Sequence, residues 1–188
     1  MYLPHIQKCF HHICRDGSVG DVETEASQRF GVSTLASILS YHGEYAPASE
    51  LYQWILGREE RSLGKDHLNT LSTVCFMAYV SGAQGKYDEA LMWNRRALAG
   101  REKSLGKDHP DTLTTVCSMA YVFRSQGKYD QALECYRRAL SGQEKSLGKD
   151  HPDTLFTVSS MEIVFMCQGK YDEALGGIGE HWLGEKSA

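Results

Sequence analysis

Apolar side chains recur at spacings of three and four residues along most of this chain. In one clear stretch Leu113, Val116, Ala120 and Phe123 follow that spacing. A second stretch with the same spacing follows it, formed by Tyr129, Ala132, Leu133, Tyr136, Ala139 and Leu140. Because this spacing places apolar side chains on one face of an α-helix, both stretches are predicted to be amphipathic helices, here named helix A and helix B. Gly127 between them is expected to end helix A, since glycine tolerates the left-handed conformation common at helix ends.

The whole pattern repeats with a period of 42 residues. Leu-Gly-Lys-Asp-His begins at Leu63, Leu105 and Leu147, and Gly-Lys-Tyr-Asp begins at Gly85, Gly127 and Gly169. Segments 85–126 and 127–168 are identical at 30 of 42 positions. A fixed period of this size predicts a repeat architecture. Helix A is expected to begin near Ser27, His67, Pro110 and Pro152, and helix B near Tyr45, Tyr87, Tyr129 and Tyr171.

The repeats divide the chain into three parts. Residues 1–22 are predicted to be a linker helix and loop, because Leu3, Ile6, Phe10 and Ile13 have helical spacing. Residues 23–182 form the array, with units at about 23–64, 65–106, 107–148 and 149–182, and residues 183–188 are a tail. The last unit departs from the pattern, with Glu162 at an alanine position and a glycine-rich helix B, so a loosely packed last pair is expected.

The repeat resembles the tetratricopeptide repeat (TPR). In the third unit the family's pattern of small and large residues falls on Ala120, Gly127, Tyr129, Ala132, Tyr136 and Ala139. The period and the junction motif resemble the kinesin light chain type, which also forms C-terminal arrays in fungal NLR-like (STAND) proteins. Leu-Pro-His near the N-terminus is similar to the linker helix that precedes those arrays. The resemblance implies an all-α, right-handed TPR α-solenoid of about four helix-turn-helix repeats that acts as a protein-binding scaffold.

The resemblance also implies that the A helices line a concave groove for a protein or peptide partner. The groove positions carried over from the family are Phe30, Ser33, Ser37, Ser72, Cys75, Tyr79, Thr114, Cys117, Tyr121, Arg124, Phe156, Ser159 and Ile163. Small polar residues beside aromatic ones suit a peptide with apolar anchors. Arg124 is nearly the only cation expected on this face, so a clamp for a terminal carboxylate is not predicted. In the competing interpretation, Tyr79 and Tyr121 only complete the packing between repeats.

Composition and charge narrow the function further. A net charge of −4 and a pI near 6.1 give no electrostatic basis for binding nucleic acid or an anionic membrane. The sequence shows no apolar run of the length a membrane helix needs and no secretory signal, so a cytoplasmic location with reduced thiols is expected. No phosphate-binding loop, metalloprotease motif or nucleophile elbow occurs, so neither a cofactor nor enzymatic activity is predicted.

Three alternatives remain open from the sequence. The chain could be a ligand-sensing array detached from an NLR-like ATPase, or it could self-associate through its incomplete last repeat. A third possibility, a metal-binding or enzymatic protein, would use the N-terminal cluster His5, Cys9, His11, His12 and Cys14. His67, His109 and His151 occur once per repeat, too far apart to converge on one ion, so they are expected to be capping residues. Lys65, Lys107 and Lys149 are predicted to line one edge, which could attract an acidic partner.

Overall fold

Seven α-helices follow one another in the computed structural model, which describes residues 22–170, with side chains from Arg29 onward. They are α1 (Val22–Tyr41), α2 (Tyr45–Ser62), α3 (Leu68–Ala83), α4 (Tyr87–Leu105), α5 (Pro110–Ser125), α6 (Tyr129–Ser146) and α7 (Pro152–Cys167). Each helix packs on the next, and the A helices α3 and α5 also touch each other. The described part of the chain is therefore all-α, with its helices packed in sequence order as the repeat pattern predicts. The linker helix, the last helix B and the tail lie outside the described residues.

Six of the seven helices begin where the repeat pattern predicts. The B helices begin at Tyr45, Tyr87 and Tyr129, while α5 and α7 begin at their prolines and α3 begins one residue after His67. The predicted start of α1 near Ser27 is wrong, because this helix already begins at Val22. Unit one has no His-Pro pair to fix a start, and the residues before Ser27 include the good helix formers glutamate and alanine.

Hydrogen bonds join side chains and backbone groups within each copy of the repeated junction motif. The Nδ1 atoms of His67, His109 and His151 accept the backbone N–H two residues later, at 3.2, 3.1 and 3.2 Å. These contacts confirm the histidines as N-caps of the A helices. The threonine of each motif donates its hydroxyl to the carbonyl of the preceding glycine, as Thr112 does to Gly106 at 2.9 Å. The motif therefore joins one hairpin to the next, and its polar groups are used within the junction.

Small residues allow the helices to approach closely. Ala36, Ala78 and Ala120 of the A helices are fully buried, as are Ala48, Ala90 and Ala132 of the B helices. A β-carbon added to Gly100 of α4 would lie 2.6 Å from Cδ2 of Leu71, so this glycine lets α3 and α4 meet. Between Val22 and Lys170, no helix has the length and apolarity needed to cross a membrane.

A glycine with positive φ lies at each turn and each junction of the described array. Gly127 ends the α5 segment with φ of +73°, a conformation that costs an L-residue roughly 1–2 kcal/mol. Gly57 in the interior of α2 has no such φ, and no atom lies within 4 Å of the position a β-carbon would take. The two glycines should therefore respond to alanine substitution in opposite directions.

We predict that Gly127→Ala lowers the free energy of unfolding by about 1 kcal/mol, because alanine is strained at positive φ. Gly57→Ala is the matched control and should raise the same quantity by about 0.5–1 kcal/mol, since alanine is the better helix former. Urea denaturation followed by circular dichroism at 222 nm measures both. Equal effects of the two variants would contradict the turn assignment.

Candidate functional site

A groove of about 580 Å³ runs across the A helices of the first three units. From the predicted set it is lined by Ser37, Ser72, Cys75, Tyr79 and Thr114. A smaller recess of about 380 Å³ lies beside it and is lined by Phe30, Ser33 and again Ser72. Ser72 thus belongs to both spaces. The structure brings seven of the thirteen predicted residues to this continuous surface.

The remaining predicted positions lie outside both recesses, farther along the array. Tyr121 and Ile163 are 49% and 44% exposed, and Phe156 is 68% exposed. Cys117 is half-buried, Ser159 is exposed, and Arg124 is half-buried with its guanidinium 5.0 Å from the centre of the Tyr121 ring. These side chains continue the surface on α5 and α7 but do not enclose a cavity.

Aromatic side chains missing from the predicted set form one wall of the groove. Tyr52 of α2 stacks on Phe76 of α3 with ring centres 5.2 Å apart, and its hydroxyl lies 3.1 Å from Oγ of Ser37. The equivalent positions at the next junction are Asn94 and Ser118. Because these side chains are smaller than Tyr52 and Phe76, space remains beside Ser118, which lines the groove. The difference in size between equivalent residues is therefore a physical reason for a cavity at this point.

At each junction between units, a buried side chain of helix B is hydrogen-bonded to a threonine of the next helix A, and this pair is here called a polar rung. The helix-B residue of the rung differs from one junction to the next. In the first, Thr73 donates its hydroxyl to the buried carboxylate of Glu59 at 2.6 Å. In the second, Nη1 of Arg101 donates to the hydroxyl of Thr115 at 2.9 Å. In the third, Thr157 donates to the side-chain carbonyl of Gln143 at 2.7 Å. Glutamate, arginine and glutamine thus occupy equivalent positions in successive B helices. Each is hydrogen-bonded to the equivalent threonine of the next helix A.

Arg101 brings a positive charge to the floor of the groove. Its Nη1 atom also donates to the carbonyl of Asp111 at 2.8 Å, and its Nη2 atom lies 3.4 Å from Oγ of Ser72. Within residues 29–170 it has no carboxylate within 4 Å, although it is only 9% exposed. The expectation that Arg124 is nearly the only cation on this face is therefore wrong. Arg101 reaches the groove from helix B, and Arg29 of α1 lines the smaller recess beside it.

Two thiols on the face formed by the A helices are shielded. Cys75 and Cys117 are free and half-buried, and each lies near a threonine hydroxyl of the next unit, at 3.9 and 3.4 Å. Burial raises the pKa of the Cys75 thiol, an effect that the positive charge of Arg101 partly opposes. Burial likewise raises the pKa of Cys117. Both side chains thus serve as small apolar parts of this face, with little thiolate near neutral pH.

Metal binding has no support in the described part of the chain. No group of three or more histidine, cysteine or acidic side chains there could hold an ion. The N-terminal histidine and cysteine cluster lies outside the described residues, as does the segment predicted for self-association. On the lysine edge, Nζ of Lys103 lies 2.9 Å from Oδ2 of Asp66, and this contact lowers the pKa of Asp66.

The sequence matches a family model for the tetratricopeptide repeat at residues 71–145 and again at residues 114–176. These matches together span more than half of the 188 residues. The chain belongs to the tetratricopeptide repeat family. TPR domains are generally protein-interaction modules and are typically non-catalytic. No match was found among curated proteins.

Solved structures share the TPR fold at low sequence identity. A Podosopora anserina protein described as a kinesin light chain with nearly identical TPR-like repeats aligns with a TM-score of 0.74 and 21% identity, covering 86% of this chain and 77% of that one. A form of that protein with one substitution gives 0.73 and 22%, with coverage of 82% and 73%. BtubC (BKLC) from P. vanneervenii gives 0.72 and 17%, covering 82% of this chain and 61% of the other. The TPR array here is thus structurally similar to kinesin-light-chain-like repeats.

The polar rungs of the TPR array should differ in strength according to their charge. We predict that Thr73→Val lowers the free energy of unfolding by about 2 kcal/mol, because it leaves a buried carboxylate without this donor, whereas the neutral rung in Thr157→Val costs about 1 kcal/mol. Valine keeps the shape of threonine in both variants. Urea denaturation gives the two values, and a larger loss for Thr157→Val would contradict this ranking.

Proposed function

We propose that this chain is a protein-interaction scaffold whose groove across α1, α3 and α5 binds a peptide segment of a partner protein. The observation that supports the proposal is that exposed aromatic rings and buried polar groups line one groove of about 580 Å³. That volume falls within the range of roughly 300–1,000 Å³ typical of ligand sites. Tyr79 and Phe76 are 53% and 43% exposed, although aromatic residues are usually more buried.

The chemistry of the groove favours a partner with one apolar anchor and a nearby acceptor. Phe76 and Tyr79 offer ring faces and edges against which an apolar side chain can pack. Arg101, together with the hydroxyls of Ser72 and Thr114, offers donors to a backbone carbonyl or a carboxylate of the same segment. Aromatic residues and arginine are also the residue types that dominate binding energy in protein interfaces. The support for the groove therefore comes from its shape and from the types of side chain that line it.

The alternative interpretation, in which the tyrosines only complete the packing between repeats, makes a different prediction about their exposure. A tyrosine that served only the packing would be buried like Tyr136, which is 2% exposed. Tyr79 and Tyr121 leave about half of their surface open to solvent. This difference favours a role in binding.

We predict that replacing both tyrosines, as Tyr79→Ala/Tyr121→Ala, weakens partner binding at least about tenfold, because each removes an aromatic anchor. The partner is first captured with immobilised wild-type chain and identified by mass spectrometry, and its affinity is then measured with purified proteins by calorimetry. Met92→Ala is the control, since Met92 is 51% exposed and lies outside both recesses. Unchanged affinity in a tyrosine variant of wild-type helicity would show that the groove is not the binding site.

The charge on the groove floor can be removed with little change to the fold. Arg101→Gln places at this position the residue that the next unit has as Gln143, which bonds to its own threonine. We predict about tenfold weaker binding of the same partner, because a charged donor is lost from the groove. Lys103→Gln is the control that removes an equal charge outside the groove. Equal losses for the two variants would indicate long-range attraction in place of contact with Arg101.

A further inference from the structure

A buried carboxylate lines the smaller recess, the space of about 380 Å³ beside the groove. It belongs to Glu59 of α2, which is 4% exposed. Its Oε2 atom accepts the hydroxyl of Thr73 at 2.6 Å, and its Oε1 atom lies 3.8 Å from Nη1 of Arg29, a distance longer than a hydrogen bond. Because a carboxylate offers about four acceptor positions, Glu59 keeps capacity for further donors.

The contact between Arg29 and Glu59 is loose for a structural reason. The residue equivalent to Arg29 in α3 is Leu71, which packs so closely on Gly100 that a β-carbon added to this glycine would lie 2.6 Å from Cδ2 of the leucine. In α2 the position of that glycine is taken by Arg58. Arg29 therefore lacks the space that receives Leu71, and its side chain is 35% exposed. A better-placed cation can replace it beside Glu59.

Aromatic rings and polar oxygens surround the same recess. Phe30 and Phe76 both line it and are 76% and 43% exposed. Phe76 also borders the groove, where Tyr52 stacks nearly parallel on one face of its ring with ring centres 5.2 Å apart. Ser33 and Asn69 add side-chain oxygens that can accept hydrogen bonds. A buried negative charge, open aromatic rings and several acceptors are the features that attract an organic cation.

We propose that this recess binds an arginine side chain of the partner segment, whose guanidinium pairs with Glu59 and displaces Arg29. The inference rests on the proposed function, because Ser72 lines both the groove and the recess, so one segment can reach both. A guanidinium suits the recess better than an ammonium group, since its planar fork matches a carboxylate, stacks on aromatic rings and is more weakly hydrated. An acidic side chain would be repelled by the charge of Glu59.

The direct test uses the full chain and two small probes, N-acetyl-arginine amide and its neutral isostere N-acetyl-citrulline amide. Isoleucine-methyl labelling reports binding, because Ile55 lines the recess whereas Ile163 lies on α7, outside it. We expect the arginine probe to shift the Ile55 methyl signal saturably, with a dissociation constant on the order of 1 mM, and to leave Ile163 unchanged. The citrulline probe should shift neither signal. Equal binding of both probes, or of neither, would overturn the inference.

Two variants test the role of the charges in the recess. Glu59→Gln should bind the arginine probe about tenfold more weakly, because a charged acceptor is lost. This variant has the residue that the third rung already holds as Gln143, so circular dichroism should show unchanged helicity. Arg29→Gln should bind the probe roughly threefold more tightly, because the competing cation is removed. Unchanged affinity in Glu59→Gln, or weaker binding by Arg29→Gln, would show that Arg29 and Glu59 form a structural pair and would overturn the inference.

The probe experiment fails independently of the proposed function, because binding of a single amino-acid derivative needs no partner protein. Tyr79 and Tyr121 lie outside the recess, so their replacement should leave probe binding intact. Loss of partner binding in the tyrosine variant, together with no binding of the arginine probe to wild type, would overturn the arginine site alone. Probe binding together with full partner affinity in the tyrosine variant would overturn the groove and uphold the arginine site.

Discussion

The packing of each helix B against the helix A of the next unit is the contact on which this array depends. A single hairpin leaves the apolar stripe of its helices partly open, so every hairpin needs a neighbour. The contact is built from Tyr52 and its equivalents, the buried valines such as Val80, and the polar rung that ends on a threonine. Junction and groove share these side chains. The surface that we propose for partner binding is thus the open side of the same contact that holds the units together.

The threonine of each rung explains why the helix-B residue can vary. The threonine hydroxyl can donate, as Thr73 does to Glu59, or accept, as Thr115 does from Arg101. One hydroxyl therefore satisfies an acidic, a basic or a neutral side chain, and each of the three is buried with a hydrogen bond. The charge on the groove floor can thus change from one unit to the next while the backbone arrangement remains the same.

The sequence predicts the helices better than it predicts the groove. The starts of α2, α4 and α6 follow from local signals, because a glycine with positive φ and a tyrosine recur at each turn. The start of α1 at Val22 was missed because unit one lacks the histidine cap that defines the other A helices. Arg101 was missed for a different reason: its guanidinium reaches the groove across the junction from helix B. The register of positions 59, 101 and 143 was the available signal, since their chemistry changes while the leucine three residues earlier, at 56, 98 and 140, does not.

Two successive repeat periods within this chain show which positions differ between units and which are constant. Segments 85–126 and 127–168 differ at 12 of 42 positions, since 30 are identical. Five of these twelve are Arg101 and Thr114, which line the groove, and Cys117, Tyr121 and Arg124, which lie farther along the same face. Their counterparts are Gln143, Phe156, Ser159, Ile163 and Met166. The residues that close the junction, from Leu105 to Leu113, are unchanged at 147–155. A surface that changes where the junction stays constant would let each unit contact a different part of one partner. Residues that contact a partner directly are therefore best sought among the positions that differ between units, while the constant positions hold the units in place.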